Sequence, residues 1–248
     1  MFVLSFSVQK ARRRALFLGA ALCLIVLLSG IVSVVSHIYR EVQASSFAST
    51  SPYEKIVVID AGHGGEDSGA VGATGVLEKN LNLEMAFKVG ELLEKEGYLV
   101  VYTRNEDKLL YGKDEDIKGI RKISDLKNRC KIAESYPDSI FVSLHMNSFG
   151  DSRYSGLQVY YSESSEGSAR LANSVQSKVR ELIQPENKRK IKAGDGIYLL
   201  ENISGDAILI ECGFLTNTEE CKKLSEKEYQ NRLSFAIVCG IIDYVENK

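Results

Sequence analysis

The chain has 248 residues and is 44% apolar, with 3 prolines and 20 glycines, which suits one sizeable buried core rather than a disordered polymer. Formal net charge is -2, but the first 40 residues hold Lys10, Arg12, Arg13, Arg14 and Arg40 and no acid, leaving the rest at about -7. A body that acidic, with no basic block, argues against a nucleic-acid groove.

The N-terminal asymmetry has a physical reading. Residues 1–14 form a basic segment ending in "KARRR", and the uncharged run "ALFLGAALCLIVLLSGIVSVVS" covers residues 15–36. At about 1.5 Å per residue that run crosses a hydrocarbon core of about 30 Å. Basic residues on its N-terminal side place that end in the cytoplasm, so the body is expected to be exported. An uncleaved transmembrane signal-anchor is favoured over a cleavable signal, because the small-residue site "VQA" at 42–44 comes late. Residues 37–54 read as a linker, and residues 55–248 as one folded domain.

From Lys55 onward strands and helices alternate. "KIVVID" is a β-branched strand, and "KNLNLEMAFKVGELLEKEG" a helix aligning Leu81, Met85, Val89 and Leu92 and ending at Gly97. "YLVVYT" is a strand, "ISDLKNRCKIAESY" a helix, "SIFVSLH" a strand and "GLQVYYS" another. "SEGSARLANSVQSKVRELI" is a helix with Leu171, Val175, Val179 and Leu182 in line. "GIYLL" and "AILIEC" read as two more strands, and "EKEYQNRLSFAIVCGIIDYVE" as a closing helix. The order predicts an α/β domain, a mostly parallel twisted sheet with helices on both faces. Ligands in such sheets gather beyond the carboxyl ends of the strands. His63, His145 and Glu211 fall there. The five cysteines (Cys23, Cys130, Cys212, Cys221 and Cys239) show no metal-finger spacing and read as small hydrophobes.

The densest signal is "IDAGHGGEDSGAVGATGVLEKNLNL", residues 59–83. It does not cradle phosphate. Gly64 and Gly69 have P-loop spacing, but Ala70 and Val71 follow. Gly62 and Gly64 begin a dinucleotide fingerprint, but Asp67 stands third. Asp60, Glu66 and Asp67 would repel a polyphosphate. A metal fits better. The domain's two histidines, His63 and His145, each end an apolar strand, and Glu78 stands where the glycine-rich loop meets a helix N-terminus, which favours the ionised form. A catalytic zinc site keeps three protein ligands and leaves one position open.

"VVIDAGHGG", "GVLEKNLNL", "FVSLHMNS" and "LIECGFLTN" together resemble the successive signatures of the zinc-dependent N-acetylmuramoyl-L-alanine amidases, the amidase_3 family. The resemblance runs from about Lys55 to Glu246 and includes Thr103–Arg104. Ala61 and Cys212 depart from the usual residues, neither at a ligand position. The resemblance implies Zn2+ held by His63, Glu78 and His145, with Glu211 as the catalytic carboxylate. Arg104 and Asn147 are the weaker candidates for substrate-binding or positioning. The implied reaction is hydrolysis of the amide joining the lactyl group of N-acetylmuramic acid to L-alanine of the stem peptide in peptidoglycan.

No room is evident between His145 and Glu211 for the helix that plugs the zinc cleft in some relatives. With a membrane anchor and no wall-binding repeat, the plan resembles the sporulation amidase that prepares spore cortex for muramic-δ-lactam formation and germination. A general vegetative wall amidase, a zinc exopeptidase and a catalytically silent peptidoglycan-binding module are the alternatives. Three protein ligands, one on a glycine-rich loop, also suggest an activating protein partner that steadies zinc binding.

Overall fold

The computed structural model describes residues 55–112, 114, 117 and 120–248. The expected signal-anchor, its basic segment and the linker lie outside these residues. No helix among the described residues is long and apolar enough to cross a membrane.

Six strands, β1 (Ile56–Ala61), β2 (Leu99–Tyr102), β3 (Ile140–Asn147), β4 (Gln158–Tyr161), β5 (Lys192–Ala193) and β6 (Asp206–Phe214), form one sheet in the order β2-β1-β3-β6-β4-β5. β2, β1, β3 and β6 are mutually parallel. β4 runs antiparallel to β6, and β5 follows β4. The sheet is therefore mixed, which corrects the mostly parallel expectation at one edge. Hydropathy alone could not show this, since β4 carries no cue to its direction.

The helices are α1 (Glu78–Lys95), α2 (Arg121–Glu134), α3 (Glu166–Leu182), α4 (Tyr198–Asn202), α5 (Thr218–Leu224) and α6 (Lys227–Glu246). The period-2 alternation of strands divides their side chains between two faces. Val57, Ile59, Val142, Leu144, Ile208 and Ile210 point to a large core covered by α1, α3 and α6. Val58, Phe141, Ala207 and Leu209 point to a smaller core under α2 and α4. By the same parity Asp60, Ser143, His145, Gln158 and Glu211 share the thinner second face, where fewer helices stand between the strand ends and solvent.

Several local expectations shift. "GIYLL" supplies the short helix α4 rather than a strand, and buries Leu199 and Leu200 against the second face. An apolar run that short does not distinguish the two by periodicity. In α1 the core position falls to Leu93 rather than Leu92, and Leu182 at the end of α3 is exposed. Cys130, Cys212, Cys221 and Cys239 are free thiols, the first three buried.

One buried polar network ties the strands to α2. Asp60, fully buried, accepts from Thr103 Oγ1, Ser143 Oγ and Arg129 Nη1, each at 2.6 Å. Arg129, also buried, is held in turn by Asp125 (Nε to Oδ2, 2.8 Å). Burial opposes ionisation of Asp60, but Arg129, Ser143 and Thr103 overcome it and bring its pKa down to about 2. The folded carboxyl thus binds its proton less tightly than the unfolded one. Its contribution, on the order of 2 kcal/mol, is present above about pH 4 and lost as pH falls toward 2. Arg129→Met, which strands the Asp60 charge, is expected to cost about 3 kcal/mol or more in urea unfolding at pH 7. Asp60→Asn is expected to flatten the acid limb of stability between pH 4 and pH 2.

Candidate metal centre and the carboxylate beside it

The loop after β1 reverses tightly and carries His63 at φ 60, the one non-glycine residue in the left-handed region among the described residues. Two buried arginines hold it there. Arg104 donates from Nε to Ala61 O (2.8 Å) and from Nη2 to Gly62 O (3.0 Å) and Lys79 O (2.8 Å). Arg129 donates from Nη1 to Ala61 O (2.7 Å) and from Nη2 to His63 O (2.8 Å). Asn82, one turn into α1, adds a second donor to Gly62 O at 3.1 Å. The carbonyls of three consecutive residues are thereby satisfied in a conformation that regular pairing cannot supply.

His63 then meets Glu78 and His145. Glu78 Oε1 lies 3.2 Å from His63 Nε2 and 3.0 Å from His145 Nδ1. One potential donor atom from each of the three lies within 4.8 Å of the others. The carboxylate is oriented from behind: Ala70 N donates to Oε2 at 2.8 Å, and Met146 N to Oε1 at 3.1 Å. Asp67 Oδ2, 3.0 Å from His63 Nδ1, orients the first imidazole, as carboxylates behind metal-ligating histidines commonly do. Burial works against protonation of His63, but Asp67 and Glu78 outweigh it and raise its pKa to about 9. Burial likewise opposes charge on Glu78, yet the two imidazoles hold it well below the usual carboxylate range. Two imidazoles and one ionised carboxylate aimed at a common point form a donor set suited to a divalent metal.

Glu211 sits on the adjacent strand, in register with His145 and on the same face. Its environment is the opposite of that of Glu78. Burial pushes its pKa up to about 7, the histidines pull it down and Glu78 adds to the rise. Its Oε2 is buried without a hydrogen-bond partner, an acceptor left open where a reacting group can enter.

Of the other residues singled out from the sequence, Arg104 is buried and spends its guanidinium on loop carbonyls, including Glu106 O at 3.1 Å. It positions His63. Asn147 is half-buried at the end of β3 and pairs through its backbone carbonyl with Leu215 N at 2.8 Å. Asp67, Asn82 and Arg129 also shape the site. Asp67 and Asn82 lie inside the glycine-rich stretch, so its density was the available clue. Arg129 carried no cue to the site, since its partners there, Asp60 and the carbonyls of Ala61 and His63, lie 66 to 69 positions earlier.

Two glycines permit the convergence. A Cβ on Gly62 would collide with Cε1 and Nε2 of His145, and one on Gly69 would come within 2.7 Å of His63 Cδ2 and crowd Glu78. Gly62→Ala is therefore expected to displace the His145 ring and weaken divalent-metal affinity by about 10- to 100-fold, the scale of a disturbed ligand orientation. Metal titration beside a thermal unfolding curve would show loss of binding with the fold retained.

Residues 57–243 match the Amidase_3 family, N-acetylmuramoyl-L-alanine amidase. The germination-specific N-acetylmuramoyl-L-alanine amidase of Bacillus subtilis is 36% identical over 196 residues, covering 78% of this chain and 81% of that protein. The B. subtilis protein YqiI is 37% identical over 194 residues, 77% of this chain and 85% of its own length. Among solved structures, the CwlD amidase of Clostridioides difficile, determined in complex with the GerS lipoprotein, superposes with a TM-score of 0.75 at 36% identity. That match covers 79% of this chain and all of the other. With most of its length matched, and with His63, Glu78, His145 and Glu211 gathered at the strand ends, the chain belongs to the N-acetylmuramoyl-L-alanine amidase family Amidase_3.

Proposed function

We propose that this protein is a zinc-dependent amidase that cuts the bond between the lactyl group of N-acetylmuramic acid and L-alanine of the stem peptide, acting in spore cortex. The observation that carries the reading is the meeting of His63, Glu78 and His145 on one strand-end point, with the unpartnered Glu211 carboxylate one strand away. Zinc is the ion of choice because two imidazoles, one carboxylate and an open position are its hydrolytic donor set. The chemistry zinc supplies, when bound by these three, is polarisation of the amide carbonyl and acidification of the attacking water.

The remaining work falls to the chain. Glu211 accepts a proton from the water as its oxygen bonds to the carbonyl carbon, then returns a proton to the departing alanine nitrogen as the C–N bond breaks. A carboxyl shifted toward neutrality by burial both takes and gives back a proton near pH 7. Asp67, Asn82, Arg104 and Arg129 keep the histidine loop from relaxing through the cycle.

The cortex assignment draws on the likeness to the germination-specific relative and to CwlD. Between β3 and β6 the chain is occupied by β4, α3, β5 and α4, which leaves no separate helix to plug the site. The complex of CwlD with the GerS lipoprotein supports a protein partner for this chain, and an activating one would steady the loop bearing His63 against Glu78. Residues 15–36 would anchor the enzyme in the membrane with its catalytic domain outside the cytoplasm.

With the full-length chain, added zinc and insoluble peptidoglycan, new alanine amino termini are expected to appear and to vanish on chelation. Glu211→Gln is expected to lower the rate by at least about 100-fold while zinc stays bound, whereas His145→Ala loses zinc and activity together. Undiminished release by Glu211→Gln would overturn the mechanism. In the spore-forming host, deletion of the protein is expected to remove muramic-δ-lactam from the cortex. The chain should also remain with membranes through alkaline carbonate washing unless residues 15–36 are deleted.

A further inference from the structure

The side of Glu211 away from the histidines carries chemistry that the reaction above leaves unused. Gln158 on β4 is the register partner of Glu211, on the same face of the sheet. Side chains paired in this way stand about 5 Å apart. Gln158 is buried with both ends of its amide held: Nε2 donates to Lys190 O at 2.8 Å, and Oε1 accepts from Arg189 Nη1 at 3.2 Å. Arg189 is itself fixed. Its guanidinium lies 4.4 Å from the centroid of Phe214 and 5.6 Å from that of Tyr154, and its Nε donates to Ser155 O at 2.8 Å. A stacked guanidinium of this kind is pre-organised to bind a planar anion.

That cation has no anion of its own. Among the described residues no carboxylate is in ion-pair contact with Arg189, and its Nη2 donates to no protein group. A carboxylate that does feel its charge is Glu220. Glu220 is committed elsewhere, accepting from Gly156 N and Phe214 N at 2.8 Å each. Arg189 lines a cleft of about 790 Å³ that also takes in Tyr154, Lys188, Asn217 and Lys223.

We infer that Arg189 recognises the stem peptide by binding a carboxylate on the residue that follows the L-alanine of the scissile amide. This rests on the amidase reading and gives that site its substrate preference. Two strand spacings, roughly 10 Å, separate the β3 row from the β4 row on which Arg189 leans. Two peptide residues and a terminal carboxylate span about that distance. The peptide would run from the His145–Glu211 point across Gln158, with its anion against the guanidinium.

The test uses the zinc-loaded full-length chain carrying Glu211→Gln, so that ligands stay intact. The probes are N-acetylmuramoyl-L-alanyl-D-glutamic acid γ-amide, whose one peptide carboxylate is the free α-carboxylate, and the corresponding α,γ-diamide, which has none. Calorimetry is expected to show tighter binding of the carboxylate by about 10-fold or more. Adding Arg189→Gln should bring the two ligands to within about 2-fold, with the carboxamide affinity unchanged. Arg189→Lys, which keeps the charge but not the fork, should retain part of the preference and guards against a folding defect. Equal affinities in the parent, or a preference that survives Arg189→Gln, would overturn the assignment. Turnover of both ligands with Glu211 restored separates the two ideas. A binding preference without cleavage of either ligand removes the amidase reading and leaves the anion subsite standing.

Discussion

Two guanidinium groups buried beneath a single loop hold this site together. Ala61 ends β1, Gly62 and His63 turn out of the sheet, and the carbonyls of all three accept from buried side chains rather than from a neighbouring strand. Arg104 from the end of β2 and Arg129 from α2 accept that geometry from below, and Asp60 neutralises Arg129 from within β1 itself. Without these donors the loop would expose its carbonyls to water and swing His63 away from Glu78. The site is therefore as strong as its foundation of buried charge, and that foundation depends on β1, β2, β3 and α2 being in register together.

The same cleft sets two carboxylates apart by environment alone. Glu78 has two imidazoles and two backbone amides and stays ionised. Glu211, one strand away, has burial and an open acceptor, and its proton affinity rises. Divergent environments for neighbouring acids are the usual means by which one site both binds a cation and moves protons. Here the divergence follows from topology. Glu78 arrives at a helix N-terminus among loop amides, whereas Glu211 projects from the middle of a sheet.

Much of this was legible in the sequence because the informative residues are local. His63 follows an apolar strand, His145 and Glu211 lie toward the carboxyl ends of two others, and the glycines around His63 announce close approach. The family signatures then joined them. The direction of β4 was not legible, because antiparallel and parallel strands can share one hydropathy. Nor was α4, whose "GIYLL" suits strand or helix equally. Arg129 was missed for a different reason: its partner Asp60 stands 69 positions earlier, so the pair exists only once the sheet has formed. An acid interrupting an otherwise apolar strand was the visible half of that pair.

The reversed edge of the sheet has a consequence for how such an enzyme can change. Were β4 parallel to β6, its carboxyl end would join the others, and any alteration there would fall on the reacting centre. Because β4 runs the other way, it is the strand's beginning, Gln158, that stands beside Glu211, and the loop entering it is the largely exposed 148–156 segment. Bond cleavage is thereby housed in the parallel half, whose buried arginines tolerate little, and the contacts next to it in the edge of the sheet formed by β4 and β5. Lineages facing different wall chemistries could rewrite that edge while leaving the parallel half untouched.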